Sequence, residues 1–265
     1  MKYSLSNLSW GETPINQMLP RIKQIGFHGV EIAPTAIWPE IKSTDASLFK
    51  KMRYLIEDNG LEVSALQSLL YGNLDYQLFS RGTWLMMKSH LEFMFTLAKT
   101  LGASVVVFGS PRNRLKGELS KELAHEIAAE FFATLLPSLE RNNLVMTLEP
   151  NASEYGADYL LNYSDVRQLS SLINSPHISP QIDTGCLWMV GEEPSSAFRS
   201  FTPHHIHISN PNLGILPGES NFKELFSLIR DSGYKGWLVI ETLGNSGDAA
   251  IEAAQWLRDE LGKVK

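Results

Sequence analysis

The sequence of 265 residues has little of several things that would place it in other protein classes. It contains one cysteine, Cys186, so no disulfide can form within the chain, and we expect a reducing compartment, the cytoplasm. No apolar run approaches the roughly 18 residues that a membrane-spanning helix needs. The residues that follow Met1-Lys2 include no apolar segment typical of a signal peptide. The sequence therefore predicts a cytoplasmic protein that does not enter membranes.

Positive charge is also scarce. Lysine and arginine together number 23 against 29 aspartates and glutamates, which gives a formal net charge of −6 at pH 7. Binding to nucleic acid needs clustered basic side chains that release counterions from the phosphates. We therefore expect no nucleic-acid partner. The content of 43% apolar and 20% charged residues is typical of a folded globular chain and not of a disordered one.

Short apolar runs alternate with amphipathic stretches along the whole sequence. The runs are typical of strands, and the stretches between them carry apolar residues at helical spacing, as at Ile15, Leu19 and Ile22. Strands that alternate with helices predict a parallel sheet with right-handed crossovers. Residues 6–10 lack the glycine-rich phosphate turn that an open doubly wound sheet usually has after its first strand. The predicted strands are residues 3–8, 29–33, 62–67, 104–108, 145–149, 178–183, 205–208 and 237–241.

Eight strand–helix units in a chain of this length favour a closed barrel, for which about 250 residues are typical. No Ser/Pro-rich linker, low-complexity tract or block of charge divides the sequence. The prediction is therefore one domain over residues 1–265, in the α/β class, with a single (β/α)8 TIM-barrel fold. In such barrels the chemistry collects at the carboxyl ends of the strands.

Charged residues stand at the carboxyl ends of the last four predicted strands. Glu149, Asp183, His207 and Glu241 come from consecutive strands and should form an arc on one side of the barrel mouth. Each residue alone has an ordinary explanation, such as an ion pair, a helix cap or a hydrogen bond in the core. Burying several carboxylates together is costly unless a cation neutralises them, and one divalent metal explains all four residues. Three carboxylates and an imidazole suit Mn²⁺ or Mg²⁺ and are compatible with Zn²⁺ or Co²⁺.

The period of two along a strand predicts a further set of inward side chains one layer deeper. Thr147, Gln181 and His205 each lie two residues before a candidate metal ligand, so they face the same side of their strands. They could orient the ligands through hydrogen bonds, or they could satisfy one another in the barrel core. The sequence leaves these two alternatives open.

The residues at these strand ends resemble the xylose-isomerase-like TIM-barrel superfamily, the sugar phosphate isomerase/epimerase family. The resemblance covers nearly the whole chain. In that family the glutamate, aspartate, histidine and glutamate of strands five to eight bind the metal, so the resemblance implies this role for Glu149, Asp183, His207 and Glu241. The matching segments are GFHGVE at 26–31, LEPN at 148–151, DTG at 183–185, HIH at 205–207 and GWLVIE at 236–241.

The resemblance implies a metal-dependent isomerase or epimerase of a sugar or sugar phosphate. A divalent ion that chelates the carbonyl and a neighbouring hydroxyl of a sugar makes the adjacent C–H acidic and stabilises an enediolate. Glu149 and Glu241 would be the catalytic pair. One of them would remove the proton, and the other would return a proton to the opposite face of the substrate.

Several other side chains near strand ends are candidates for substrate binding. Glu31 and Gln67 end strands two and three and could hydrogen-bond sugar hydroxyls. Trp188 lies in the loop after strand six, where an aromatic ring can stack on a sugar. Cys186 occupies the position at which many family members carry a histidine that touches the substrate.

The loop after strand four is basic. Arg112, with Arg114 and Lys116, could hold a phosphate or a carboxylate of the substrate. The alternative is a solvated loop without a ligand. The sequence does not decide between these two interpretations.

Other functions remain open at this point. A dehydratase of a cyclic polyol or keto acid would use the same carbanion to expel a β-hydroxyl, and an aldose–ketose isomerase would use the same metal. A barrel that binds a metal or a sugar without catalysis is a further alternative. A zinc endonuclease of abasic DNA needs additional histidines from early strands, whereas Ala33 and Gln67 stand there, and the net charge opposes DNA. Barrels of this type are often dimers or tetramers, so a homo-oligomer is also an open alternative.

Overall fold

The protein is described by a computed structural model that covers residues 1–218 and 220–262, and its centre is a closed barrel of parallel strands. The strands follow one another around the barrel in chain order, and the last one pairs with the first. This arrangement confirms the predicted (β/α)8 TIM-barrel fold, with strand ends that differ from the predicted ones by at most two residues. The strands are β1 Lys2–Ser6, β2 Gly29–Ile32, β3 Glu62–Leu66, β4 Val105–Phe108, β5 Val145–Leu148, β6 Ile178–Asp183, β7 His205–Ile208 and β8 Trp237–Ile240.

Helices fill the connections and pack around the outside of the barrel. None of the helices within the described ranges has both the length and the apolar character needed to span a membrane. The α-helices are α1 Ile15–Gln24, α2 Pro34–Ile37, α3 Ala46–Asp58, α4 Trp84–Leu101, α5 Lys121–Ala133, α6 Leu136–Asn142, α7 Tyr163–Ile173, α8 Thr184–Met189, α9 Pro194–Ser200, α10 Lys223–Asp231 and α11 Gly247–Gly262. Short 3₁₀ helices occupy Asn7–Trp10, Ile41–Ser43, Arg81–Thr83, Pro111–Asn113, Ser153–Tyr155 and Pro211–Leu213.

The main hydrophobic core lies between the outer faces of the strands and the helices, because alternate strand residues point outward against apolar helix faces. The barrel interior is different. Ala65, Val105 and Val107 form a small apolar cluster inside β3 and β4. The next strands around the barrel, β5, β6 and β7, contribute buried polar side chains, among them Thr147 and Gln181. Buried polar residues also come from β1 to β3, as at Ser4, Glu31 and Ser64, so the interior is polar around most of its circumference.

The start of α8 packs tightly against the loop that follows β7. The Gly185 N–H donates a hydrogen bond of 2.9 Å to Ser209 Oγ. A Cβ on Gly185 would lie 2.3 Å from the Asn210 backbone oxygen and 2.8 Å from Ser209 Oγ. Glycine is therefore required at this position by the close approach of the two loops that follow β6 and β7.

We expect the Gly185→Ala substitution to destabilise the fold by about 1–3 kcal/mol, because the added methyl group must displace backbone atoms. Urea unfolding followed by circular dichroism measures this loss. The matched control is Gly82→Ala, since a Cβ at Gly82 would meet no atom within 4 Å. Equal unfolding midpoints for the two variants would contradict the expected crowding at Gly185.

Candidate metal centre

The carboxyl ends of β5 to β8 bring the four predicted metal ligands together. One ligand atom of each of Glu149, Asp183, His207 and Glu241 lies within 4.8 Å of the others, and all four residues are buried. His207 Nδ1 is 2.8 Å from Glu149 Oε1, 2.8 Å from Glu241 Oε2 and 3.7 Å from Asp183 Oδ2. Three carboxylates and one imidazole thus face one point at the barrel mouth and could hold a divalent cation.

The imidazole of His207 is held from behind by a carboxylate that reaches across the barrel from β2. Glu31 Oε1 lies 2.9 Å from His207 Nε2, and Glu31 Oε2 lies 2.8 Å from His205 Nε2. Because a carboxylate accepts the proton of Nε2, the neutral ring would be the Nε2–H tautomer, and Nδ1 is the nitrogen that faces the other three carboxylates.

His207 Nδ1 is buried and has no hydrogen-bond partner of suitable geometry among the described residues. A carboxylate behind an imidazole whose other nitrogen faces outward is the usual support of a metal-binding histidine. An orphaned nitrogen surrounded by carboxylate oxygens therefore fits a divalent ion.

The charges in this cluster shift the pKa values of its members. Burial lowers the pKa of His207, but the negative charges of Glu31, Glu241 and Glu149 outweigh burial and hold that pKa well above its usual value. Burial favours a raised pKa for Glu31, but the two histidines bring it down to about 2. Burial raises the pKa of Glu241 to about 7, and the charges of Glu149 and Asp183 add to this shift. Without an ion the cluster limits its negative charge by holding protons, which a divalent cation would displace.

Side-chain amides hold both carboxylate oxygens of Glu149. Gln181 Nε2 donates to Glu149 Oε1 at 2.8 Å, and Thr147 Oγ1 donates to Gln181 Oε1 at 2.6 Å. Asn151 Nδ2 donates to Glu149 Oε2 at 3.1 Å. The structure thus places Thr147 and Gln181 in a chain that ends on a candidate ligand, while His205 hydrogen-bonds to Glu31 and packs edge-on against the ring of His207.

One oxygen of Asp183 is engaged in the same way. Its Oδ1 accepts hydrogen bonds from the Cys186 N–H at 2.7 Å and from Ser209 Oγ at 2.9 Å. The other oxygen, Oδ2, is the one that faces His207 Nδ1. The same carboxylate therefore caps α8 and supplies an oxygen to the cluster.

Two of the predicted substrate-binding residues lie inside the barrel with other partners. Glu31 is 0% exposed, and its two oxygens lie within hydrogen-bond distance of His205 and His207. Gln67 is buried as well, and its Nε2 donates to Ser6 Oγ at 2.6 Å. Reading a strand end from the sequence does not show how deep in the barrel its last inward side chain lies.

The other three predicted substrate-binding residues lie closer to the mouth. Cys186 is buried with its Sγ 4.0 Å from Asn151 Nδ2, and burial raises the pKa of its thiol. Trp188 is half-buried, and its ring centroid lies 4.8 Å from that of Phe222. Arg112 is exposed and borders a cavity of 420 Å³ at the ends of β3 and β4. Their role in substrate binding stays a prediction.

The side chains of Arg114 and Lys116 both donate hydrogen bonds to backbone oxygens of the protein. Arg114 is fully buried and donates to the Glu149 backbone oxygen, and Lys116 Nζ donates to the backbone oxygens of Gly117 and Leu119. The prediction of a basic loop that holds a substrate anion therefore now rests on Arg112 alone.

Asn151 and Tyr155 were not predicted as site residues. Asn151 belongs to the LEPN motif, so its place in the sequence was visible although its contact with Glu149 was not. The Tyr155 hydroxyl is buried and has no hydrogen-bond partner among the described residues. Burial raises its pKa, and electrostatic interactions with Cys186, Asp183, Glu241 and Glu149 add to this shift. No periodicity in the sequence indicates the position of a side chain in such a loop.

Known sequences match this chain over most of its length. The sequence profile of a family described as xylose isomerase-like TIM barrel matches residues 19–260. An inosose dehydratase of Bacillus thuringiensis (strain Al Hakam) is 24% identical over 129 aligned residues, which cover 37% of this chain and 43% of that protein. The match therefore spans less than half the length of this relative. An inosose dehydratase of Geobacillus thermodenitrificans (strain NG80-2) is 21% identical over 295 aligned residues, covering 95% of this chain and 91% of that protein.

Solved structures with the same fold have low sequence identity to this chain. A D-allulose 3-epimerase from Methylomonas sp. superposes with a TM-score of 0.79 at 16% identity, covering 98% of each chain. A 3-keto-D-glucoside 4-epimerase from E. coli has a TM-score of 0.75 at 19% identity and covers 99% of this chain and 98% of its own. The IOLI protein with a binding zinc atom has a TM-score of 0.77 at 14% identity and covers 99% of each chain. At these identities the likeness shows a shared fold.

Replacing Glu31 by glutamine should destabilise the metal-free fold by about 3–5 kcal/mol at pH 7, because two buried histidines lose their charged partner. The folded pKa of Glu31, about 2, lies below its usual 4.5, so its contribution is present above pH 4.5 and is lost as the pH falls towards 2. The difference in unfolding free energy between wild type and variant should therefore be smaller at pH 3 than at pH 7. Urea unfolding at these two pH values measures it.

The control for this substitution is Glu62→Gln on the neighbouring strand. Glu62 pairs with Lys2 at the surface, and its side chain is 59% exposed. We expect the unfolding free energy of this variant to lie within about 0.5 kcal/mol of the wild-type value. If Glu31→Gln were as stable as Glu62→Gln at pH 7, the proposed support of the histidines by Glu31 would be refuted.

Proposed function

The chain belongs to the xylose isomerase-like TIM barrel family, and from this membership and the geometry of the site we propose that it is a divalent-metal-dependent isomerase or epimerase of a sugar or sugar phosphate. The observation that carries the proposal is the convergence of Glu149, Asp183, Glu241 and the orphaned Nδ1 of His207 on one point at the barrel mouth. Barrel enzymes react substrates at this end of the strands.

The residues that would hold the ion are these four side chains. A divalent ion of the Mn²⁺, Mg²⁺, Zn²⁺ or Co²⁺ type supplies a Lewis acid that makes the C–H beside a sugar carbonyl acidic. The solved structure of the IOLI protein with a zinc atom shows that a protein of this fold binds such an ion. His207 would contribute its Nδ1 lone pair, and Glu31 would keep the ring in the required orientation.

Glu149 and Glu241 are proposed as the acid–base pair that passes through an enediolate of the substrate. They stand on β5 and β8, on either side of the strands that carry Asp183 and His207, and each lies 2.8 Å from His207 Nδ1. Two carboxylates on different sides of a chelated sugar can remove a proton from one face and deliver one to the other. Their contacts differ, because two amides donate to Glu149 and none of the described amides donates to Glu241.

Dehydration of a cyclic polyol ketone is the second candidate function. The relative of Geobacillus thermodenitrificans that aligns with 95% of this chain is an inosose dehydratase. In that reaction the same base removes the C–H proton beside the carbonyl. The electron pair then forms a double bond while the β C–O bond breaks, and hydroxide leaves with a proton as water.

Reaction in D2O distinguishes the two candidates. We expect the Mn²⁺-loaded protein, incubated with a panel of ketoses and inososes, to exchange the proton beside the carbonyl for deuterium, as followed by NMR. An epimerase yields a stereoisomer and loses no water, whereas a dehydratase yields an unsaturated product. Glu149→Gln and Glu241→Gln should each lower the rate by about 10²–10⁴-fold, the usual contribution of a general acid or base. Glu149→Gln with undiminished turnover and intact metal binding would overturn the assignment.

Metal analysis of the purified protein should find about one divalent ion per chain, as expected for one four-ligand site. Asp183→Ala should lose the ion. Asp183→Asn is the sharper variant, because its amide oxygen still accepts from the Cys186 N–H and Ser209 Oγ while the anionic ligand is gone. A metal content equal to wild type in both variants would exclude this site.

Metal binding should also release protons and strengthen as the pH rises. The negative charges of Glu31, Glu241 and Glu149 raise the pKa of His207 in the metal-free cluster, and a proton on Nδ1 must leave before this nitrogen can coordinate. Calorimetric titration with Mn²⁺ in Pipes and in Mops, which bind this ion weakly and have different ionisation enthalpies, measures the number of protons released. Identical heats in the two buffers would show that no proton leaves.

A further inference from the structure

Arg114 has the largest volume among the fully buried side chains that the structure describes. It follows the 3₁₀ helix Pro111–Asn113 after β4, and its Nη2 donates to the Glu149 backbone oxygen at 2.9 Å and to Asn151 Oδ1 at 2.7 Å. Asn151 Nδ2 donates in turn to Glu149 Oε2 at 3.1 Å. The guanidinium therefore reaches Glu149 twice, once at its main chain and once through an amide.

This burial is costly for the fold. Arg114 Nε and Nη1 have no hydrogen-bond partner among the described residues. Burial lowers the pKa of Arg114 to about 10, while the charge of Glu149 opposes the shift, so the side chain is a cation at neutral pH. A well-packed apolar side chain usually serves stability at least as well as a buried charge. The retained cation is therefore best explained by what its hydrogen bonds do for Glu149.

The orientation of the Asn151 amide connects Arg114 with the Glu149 carboxylate. An asparagine amide has a donor end and an acceptor end that differ little in shape, so its orientation is set by its partners. A guanidinium can only donate, so Arg114 fixes Oδ1 towards itself. The other end, Nδ2, must then face the carboxylate of Glu149. Turned around, the amide would set its oxygen against a carboxylate oxygen.

Packing confines Glu149 from a second direction. A Cβ on Gly109 would lie 2.4 Å from Glu149 Oε2 and 3.3 Å from Asn151 Oδ1. The main chain at Gly109 therefore runs directly beside this oxygen, and Asn151 holds the same oxygen by its hydrogen bond. With Gln181 on Oε1, the carboxylate has little freedom to turn.

We propose that Arg114 is a positioning residue that fixes the Glu149 carboxylate for metal binding by setting the orientation of the Asn151 amide. This inference rests on the proposed function of the metal centre. It gives the basic loop after β4 a role that needs no substrate anion at Arg114.

The experiment measures Mn²⁺ affinity by calorimetry for Arg114→Met, Asn151→Ala and the double variant. We expect each single substitution to weaken binding by about 10–100-fold, the usual effect of losing the hydrogen bonds that support a ligand. The double variant should bind Mn²⁺ no more weakly than the single variant with the lower affinity. Both substitutions interrupt the same series of hydrogen bonds from Arg114 through Asn151 to Glu149. Arg114→Lys, which keeps one cationic donor, should recover part of the affinity.

Tyr159→Phe is the matched control for lost stability. It removes a buried hydrogen bond of 2.7 Å between the Tyr159 hydroxyl and His125 Nδ1, and Tyr159 also interacts electrostatically with Arg114. Its Mn²⁺ affinity should equal that of wild type even where its unfolding midpoint falls.

The outcomes separate this inference from the function on which it rests. Wild-type affinity in Arg114→Met, additive losses in the double variant, or an equal loss in Tyr159→Phe would each overturn the positioning role alone. If Arg114→Met does not fold, the Mn²⁺ affinity of Asn151→Ala is the deciding measurement. Wild-type affinity in that variant would overturn the proposal. A wild-type protein that binds no divalent ion would overturn the proposed function together with this inference.

Discussion

The hydrogen bonds that Glu31 accepts from the two histidines of β7 are the contact on which the arrangement at the barrel mouth depends. Glu31 comes from β2 and meets His205 and His207 in the middle of the barrel. With Nε2 of His207 committed to this carboxylate, only Nδ1 is left to face Glu149, Asp183 and Glu241. The carboxylate behind the ring fixes its rotation and the nitrogen that faces the mouth, which is the usual support of a metal-binding histidine.

The three mouth carboxylates are supported unequally. Glu149 is bound by amides on both oxygens, and Asp183 is bound on one oxygen by a hydroxyl and a main-chain N–H. Glu241 meets His207 Nδ1 and receives no side-chain hydrogen bond from the described residues. The two residues proposed as the acid–base pair therefore differ in their surroundings: amides hold both oxygens of Glu149, whereas Glu241 contacts the imidazole of His207.

The fold and the set of acidic strand ends could be predicted from the sequence because both depend on periodicity. Alternation along strands put Thr147, Gln181 and His205 on the inward face, where the structure has them. The depth of Glu31 could not be predicted in this way. Barrel strands are tilted and staggered, so a residue near the end of β2 lies level with His205 and not with the mouth. The contacts of Arg114, Asn151 and Tyr155 depend on loop conformations, which no repeating pattern specifies.

The contact of Glu31 with the two histidines also joins the two halves of the barrel, β1–β4 and β5–β8. The four strands that end before residue 109 contain the carboxylate, and the four that begin at residue 145 contain both imidazoles. Split between them, the chain would leave Glu31 in one fragment and the Nε2 atoms of His205 and His207 in the other. The two halves of the barrel are therefore joined by a buried charged contact as well as by the pairing of their edge strands.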